Sequence, residues 1–313
     1  MIIRTYQSTD INNVVELLKS SLGESLIKKT ESIWRYKHLE NPFGESYVIL
    51  AIEDSEIVGI RAFMQWRWQF GLQIWTAYRA VDTATHPHYQ GKGIFKKLTL
   101  NALDEVAKKG ECFVFNTPNN QSRPGYLKMG WKIVDSLQLT IVTVPLYIFH
   151  YILSRKVSFE NKVTPQRLDA ICELHNSILS QKNCIFTPKS ASYLKWRFEN
   201  NPMQEYLIVS NENFYIALYI KKHRFFKELR VVEIICSNPK FDYGSIRNTI
   251  IAYAFKNNCW LITVADKNVF GFGLFGKFGP KLTFKPLTQE NLFINKALFI
   301  SNWKYSLGDL ELF

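Results

Sequence analysis

A short turn, Gln90-Gly91-Lys92-Gly93, follows a strand-like stretch that begins at Val81. It opens an amphipathic segment whose apolar Ile94, Leu98, Leu100 and Leu103 continue at helical spacing. Backbone N–H groups of such a turn converge on one point, and the helix end adds partial positive charge there. The chemistry this suggests is anion binding, with a pyrophosphate as a fitting ligand. Gly91 and Gly93 suit the task because a side chain would obstruct the phosphates or the backbone angles of the turn. Further along stand Asn119, Ser122 and Tyr126. A phenol is protonated at neutral pH and can hand its proton to a forming anion. Asp82, His86 and His88 lie on or beside the strand that feeds the turn, as candidates for an acceptor contact or a base.

The elements that must position these residues follow from periodicity and breakers. The chain reads as a strand at Ile2 to Tyr6, helices at Asp10 to Ser21 and Ser32 to Leu39, and hairpin strands at Tyr47 to Ile52 and Ile57 to Trp68. The strand and helix of the glycine turn come next. A strand at Cys112 to Asn116, a short helix near Arg123 to Lys128 and closing strands at Lys132 to Val144 complete the first half. This mixed order predicts an α/β fold of three α/β/α layers with a mixed, partly antiparallel sheet. If Asp82 and Ala84 share one face of their strand, Val81 and Thr83 face the other.

The design is expected to occur twice. Trp34-Arg35-Tyr36-Lys37-His38-Leu39-Glu40-Asn41-Pro42 is echoed by Leu194-Lys195-Trp196-Arg197-Phe198-Glu199-Asn200-Asn201-Pro202. Both are helical stretches stopped by Asn-Pro, since proline disfavours helix before it. Cys112-Phe113-Val114 has a counterpart in Cys259-Trp260-Leu261. The copies differ at the chemical positions. The second carries Asp242-Tyr243-Gly244-Ser245 in place of the glycine turn, where a carboxylate would repel phosphates, and Phe275 in place of Tyr126. The expected organisation is an active domain at 1–145, a linker helix at 146–163 and a degenerate domain at 164–313.

The glycine turn and the later Asn119…Tyr126 segment ending in Gly130-Trp131, in this order and separation, resemble the Gcn5-related N-acetyltransferase (GNAT) superfamily over about residues 1–145. Phe95 departs from the pattern, which has a small residue there. The resemblance implies two tandem GNAT-like domains, the second degenerate, and acetyl-CoA as co-substrate. It implies pyrophosphate contacts from Gln90, Gly91, Lys92, Gly93, Ile94 and Phe95, with pantetheine and acetyl on the backbone of the strand bearing Val81 and Thr83. That strand would splay from its neighbour and supply an oxyanion donor. Asn119 and Ser122 become candidate contacts to the pantetheine arm. Tyr126 is the catalytic candidate for protonating the leaving thiolate, and Asp82 the candidate contact to the acceptor's ammonium. No metal is required.

Composition bounds the partners. The chain has 313 residues, a net charge of +12 and a pI near 9.3. A basic balance suits nucleic acid, an anionic surface or an anionic ligand such as coenzyme A. No dense Lys/Arg block with interleaved aromatics argues for nucleic acid. Five dispersed cysteines and a non-secretory start predict a reduced, cytoplasmic protein. The apolar run from Leu137 to Leu153 is broken by Pro145 and His150, too short to span a bilayer. A weak membrane-surface contact there, helped by Arg155 and Lys156, is the alternative to a plain linker. Trp34, Tyr36, Trp66, Trp68, Trp75 and Tyr78 read either as core or as an aromatic wall suited to a sugar ring. The leading expectation is therefore acetyl transfer to a primary amine of a small molecule, such as an amino sugar or sugar nucleotide. The alternatives are an aminoacyl-tRNA-dependent transferase of cell-wall synthesis and a non-catalytic acyl-CoA-binding protein.

Overall fold

Local signals set most element boundaries in the computed structural model, which describes residues 1–24, 28–153 and 163–310. The first half runs β1 Ile2–Thr5, α1 Ile11–Leu22, α2 Glu31–His38, β2 Tyr47–Glu53, β3 Glu56–Phe70 and β4 Gln73–Thr85. It continues with α3 Ile94–Ala107, β5 Cys112–Asn116, α4 Arg123–Lys128, β6 Lys132–Ser136, β7 Leu139–Thr143 and α5 Ile148–Leu153. The second half holds α6 Pro165–Ser180, β8 Ile185–Phe186, α7 Ala191–Leu194, β9 Leu207–Ser210, β10 Phe214–Lys222 and β11 Lys227–Cys236. Then come α8 Pro239–Lys256, β12 Leu261–Val264, β13 Leu274–Gly276, β14 Lys281–Pro286, α9 Asn291–Ala297, β15 Trp303–Lys304 and α10 Leu307–Leu310.

Caps explain where helices start. The Thr30 hydroxyl accepts from the Ile33 N–H at 3.2 Å to open α2, and Thr164 does the same for Arg167 at 3.3 Å before α6. The Asn-Pro stops also work alike in both halves. Asn41 Oδ1 accepts from Phe43 N–H at 3.0 Å, and Asn201 Oδ1 from Met203 N–H at 2.9 Å. Along α3, Ile94, Leu98, Ala102 and Val106 form the buried stripe with Leu103. Each buried leucine contributes roughly 1.5–3 kcal/mol relative to an exposed one. Leu100 falls off that stripe and is exposed.

The chain divides into two units, each with its own mixed sheet. One comprises Met1–Asp135 with Lys281–Asn302, and the other Ser136–Pro280 with the segment from Trp303. The first unit's sheet has the order β1-β2-β3-β4-β5-β14-β6, and the second's β13-β7-β12-β11-β10-β9. Off these paths β15 pairs with β8, in parallel. A strand from the far half of the sequence completes each sheet. β14 runs antiparallel to β5, with Thr283 opposite Asn116, and β7 runs antiparallel to β12, with Thr143 opposite Leu261. This exchange is why the observed division differs from the expected boundaries at 145 and 164. Strand pairing, not chain continuity, decides which residues share a core.

One other expectation needs correction. Phe275 lies on β13, opposite Thr140, and not on a helix like Tyr126. The helix expected between 146 and 163 is described as α5; residues 154–162, with Arg155 and Lys156, lie outside the described residues. Among the described residues no helix is long and apolar enough to cross a membrane.

Candidate active site

The site grows from an irregularity in β4. Its parallel ladder with β5 runs from Thr76–Cys112 to Arg79–Phe115, yet β4 continues to Thr85 while β5 ends at Asn116. The strands thus part after Arg79, and backbone groups on this edge of β4 are left available to a ligand. On the other edge β4 bulges. Val81 opposes Ala62 and Ala84 opposes Ile60, so Asp82 and Thr83 together face Arg61. Asp82 carries the extra residue's strain, at φ 39°. The bulge overrides the expected alternation: Val81 and Ala84 are both buried, and Asp82 and Thr83 are both half-buried.

Past the strand end, Gln90 to Gly93 form the expected loop into α3. Gly91 and Gly93 sit at φ 77° and 75°. A Cβ on either would meet no atom within 4 Å, so it is the left-handed backbone and not space within the chain that requires glycine here. Below the loop, Ile94 is buried against Gly59, where a Cβ would come within 2.6 Å of the Ile94 side chain. Ile94 is therefore an anchor, and its contribution toward an anion is its backbone N–H. The Lys92 ammonium lies 4.5 Å from the centre of the Tyr89 ring. A cavity of about 520 Å³ opens between loop and strand, lined by Thr83, Ala84, Gly91, Gly93, Phe95 and Lys96 among others. Its size and its αL glycines fit a pyrophosphate with an extended arm.

Phe95, the departure from the family pattern, forms part of the cavity wall and stands edge-on to Tyr126, with ring centres 5.6 Å apart. Tyr126 is buried and braced from another side by Trp131 at 5.1 Å. Its hydroxyl accepts a hydrogen bond from Arg61 Nη1 at 2.8 Å. The same nitrogen donates to the Thr83 hydroxyl, which lies 3.3 Å from the Val81 carbonyl as donor.

Asp82 points to α2. Its carboxylate accepts from the Lys37 ammonium and, at 2.9 Å, from His38 Nε2. Burial opposes the charge on Asp82, but Lys37 and His38 outweigh it and hold the carboxyl far below its usual range. Burial pushes the His38 pKa down despite Asp82, so the ring is neutral: Nε2 carries the proton and Nδ1 accepts from the Ser46 hydroxyl at 2.8 Å. A carboxylate held this low is a weak base and a good electrostatic partner for a cation.

The other candidate residues separate. Asn119 Oδ1 accepts from the Ser122 N–H at 2.8 Å, the Ser122 hydroxyl at 2.9 Å and the Gln121 N–H at 3.1 Å, which closes the turn before α4. Both side chains are thus engaged with each other. His88 is exposed, and its backbone N–H donates to His86 Nδ1 at 3.3 Å. Trp34, Tyr36, Trp66, Trp68, Trp75 and Tyr78 are all buried, as core. Trp68 meets Phe115 at 5.5 Å and Trp75 stacks on Phe293 at 4.3 Å, so the aromatic wall for a sugar is not formed by these rings. Arg61, Lys37 and His38 do not stand out in the sequence as site residues. Arg61 has one signal: a lone charge inside the apolar run Ile57 to Met64.

The second unit repeats the splay without the loop. β11 pairs with β12 from Glu228 to Val231 and then runs on to Cys236. Asp242-Tyr243-Gly244-Ser245 lies within α8, and Asp242 caps that helix by accepting from the Asn238 N–H at 2.8 Å. In the wedge, Lys189 bonds Glu233 at 2.7 Å and Asp309 at 2.6 Å, beside a cavity of only about 40 Å³. Neighbouring His175 is pushed down to about 4 by burial and then by the Lys189 charge. The folded state resists protonating it while the unfolded chain protonates near pH 6.5. Its contribution is complete above pH 6.5 and is lost as pH falls from there to about 4. Unfolding titrations should show stability falling by roughly 2–3 kcal/mol across that window, and His175→Asn should flatten the fall. Equal slopes in both proteins would refute the assignment.

Residues 2–134 match the family model described as an acetyltransferase (GNAT) domain. No curated protein matches the chain in sequence. Among solved structures, a conserved protein of Enterococcus faecalis V583 described as a probable N-acyltransferase superposes with a TM-score of 0.67 at 9% identity, covering 91% of this chain and 72% of its own. A GCN5-related N-acetyltransferase of Anabaena variabilis gives 0.65 at 14% identity, over 92% and 73%. Eis1 of Mycobacterium abscessus gives 0.56 at 10% identity, over 96% and 76%. At such identities these likenesses establish the fold.

Proposed function

We propose that this chain, whose residues 2–134 match a GNAT acetyltransferase domain, transfers an acetyl group from acetyl-CoA to a primary amine of a small molecule by direct attack in a ternary complex. The observation that carries this reading is the parting of β4 from β5 beside the Gln90–Gly93 loop, with a cavity of about 520 Å³ between the end of β4 and that loop. Backbone N–H groups of residues 90–95 would hold the pyrophosphate. The freed edge of β4 at Val81 and Thr83 would hold the pantetheine amides and present a donor to the carbonyl oxygen. Tyr126 would protonate the departing sulfur. Asp82, tied to Lys37 and His38, would act by charge on the acceptor's ammonium rather than by taking a proton. Asn119 and Ser122 would shape the turn that carries Tyr126. The buried aromatics give no support to a sugar acceptor, so the reading stops at a primary amine.

Calorimetric titration with acetyl-CoA tests the donor. The wild type should bind one equivalent per chain, and Gly91→Glu should weaken binding at least about tenfold. A carboxylate would then stand in the anion site on a backbone that disfavours any side chain. Equal affinity in both proteins would refute the loop assignment, and no binding to the wild type would refute the acyl-CoA reading.

A further inference from the structure

Arg61 is fully buried on β3. Among the described residues it meets no carboxylate, and its Nε and Nη2 find no acceptor. Its contacts are two hydroxyls, on Thr83 and Tyr126, and three aromatic rings: Phe63 at 4.8 Å, Tyr126 at 5.2 Å and Phe95 at 5.7 Å from the guanidinium carbon. A buried charge of this kind is costly, and cation–π contacts offset only part of the cost.

We infer that Arg61 is a positioning residue for acyl transfer, one that sets the direction of the Tyr126 proton and stabilises the phenolate left when that proton departs. The inference rests on the acyl-transfer reading of this site. A guanidinium only donates, so at 2.8 Å the Tyr126 oxygen must accept. Arg61 Nη1 takes one lone-pair direction of that oxygen, so the O–H has to point away from the guanidinium. Phe95 and Trp131 brace the ring and hold that orientation. Through Thr83, the same nitrogen fixes Arg61 to the bulge of β4.

The chemistry balances without another reagent. The acceptor's ammonium first gives up one proton to solvent, and the amine lone pair then forms the C–N bond at the thioester carbonyl. The C–S bond breaks with its electron pair on sulfur, and the Tyr126 proton goes to that sulfur, giving free thiol. The phenolate is left beside the guanidinium, in a buried place where such a pairing is strong. The proton lost by the acylated nitrogen returns to the phenolate, directly or through solvent.

A double-mutant cycle tests the inference, with acetyl-CoA as donor, spermidine as the amine and thiol release as the signal. Thiol release from acetyl-CoA by water alone serves as a second readout needing no acceptor. Arg61→Met should lower kcat about 10- to 100-fold, with KM for acetyl-CoA held within about twofold. In a Tyr126→Phe background the same change should alter kcat by less than about twofold, because the group it acts through is gone. Equal factors in both backgrounds would mean a merely structural role and overturn the inference, as would an unchanged kcat. If Tyr126→Phe alone keeps wild-type turnover, the acid reading of Tyr126 fails and the inference falls with it. Arg61→Gln keeps a donor and gives up the charge, and it carries the same cycle where the Met variant does not fold.

Discussion

Tyr126→Phe should lower kcat by about 10²–10³ while acetyl-CoA affinity stays within about twofold of wild type. The substitution removes one oxygen. The ring keeps its contacts with Phe95 and Trp131, and the loop at Gln90–Gly93 is untouched. Binding energy to the pyrophosphate is therefore preserved, and what disappears is the donor that the sulfur needs as its bond to carbon breaks. The effect belongs in kcat and not in KM, since the proton moves only in the transition state. Loss of the hydroxyl also leaves Arg61 Nη1 with the Thr83 hydroxyl alone, at a cost to stability of about 1–3 kcal/mol. Rates are best compared well below the melting temperature of the variant. Unchanged turnover at saturating acetyl-CoA and amine would remove Tyr126 from the chemistry.

What can be read from the sequence follows contact range. The short helix Arg123–Lys128 and the strand Cys112–Asn116 are legible to the residue, because a proline and glycine bound one and an unbroken apolar run makes the other. The glycine loop is legible because its two positive-φ positions admit little else. The β4 bulge is not, because strict alternation is the default for any strand and the slip lies in its register with β3. The bond from Arg61 to Tyr126 joins residues 65 apart, and that from Thr283 to Asn116 residues 167 apart. Such pairings leave no periodic mark. They decide both the acid's surroundings and the exchange of β7 and β14. The second copy's departure from the glycine turn is legible at Asp242. That α8 absorbs the whole loop, and that ions fill the wedge, emerges only in three dimensions.

That filled wedge makes the second strong prediction. Lys189→Met should destabilise the protein by about 3–5 kcal/mol in urea or thermal unfolding, since removing one partner strands the others as buried, uncompensated charges. Lys189, Glu233 and Asp309 have side chains exposed by 4%, 3% and 1%, so water cannot replace the missing cation. Burial alone would lower the Lys189 pKa, but its two carboxylates prevail and raise it. Burial holds the Glu233 carboxyl above its usual range even with Lys189 present. Without Lys189 that rise grows. Glu233 then favours folding below its unfolded pKa and costs stability as pH rises through its folded pKa, so the damage from Lys189→Met should shrink at pH 4–5. A triple variant, Lys189→Met with Glu233→Gln and Asp309→Asn, should recover at least about half the loss, because neutral amides need no counter-charge. A loss below about 1 kcal/mol in the single variant would mean that the charges are solvated. The second wedge would then be open to water, against the close packing of its three ions.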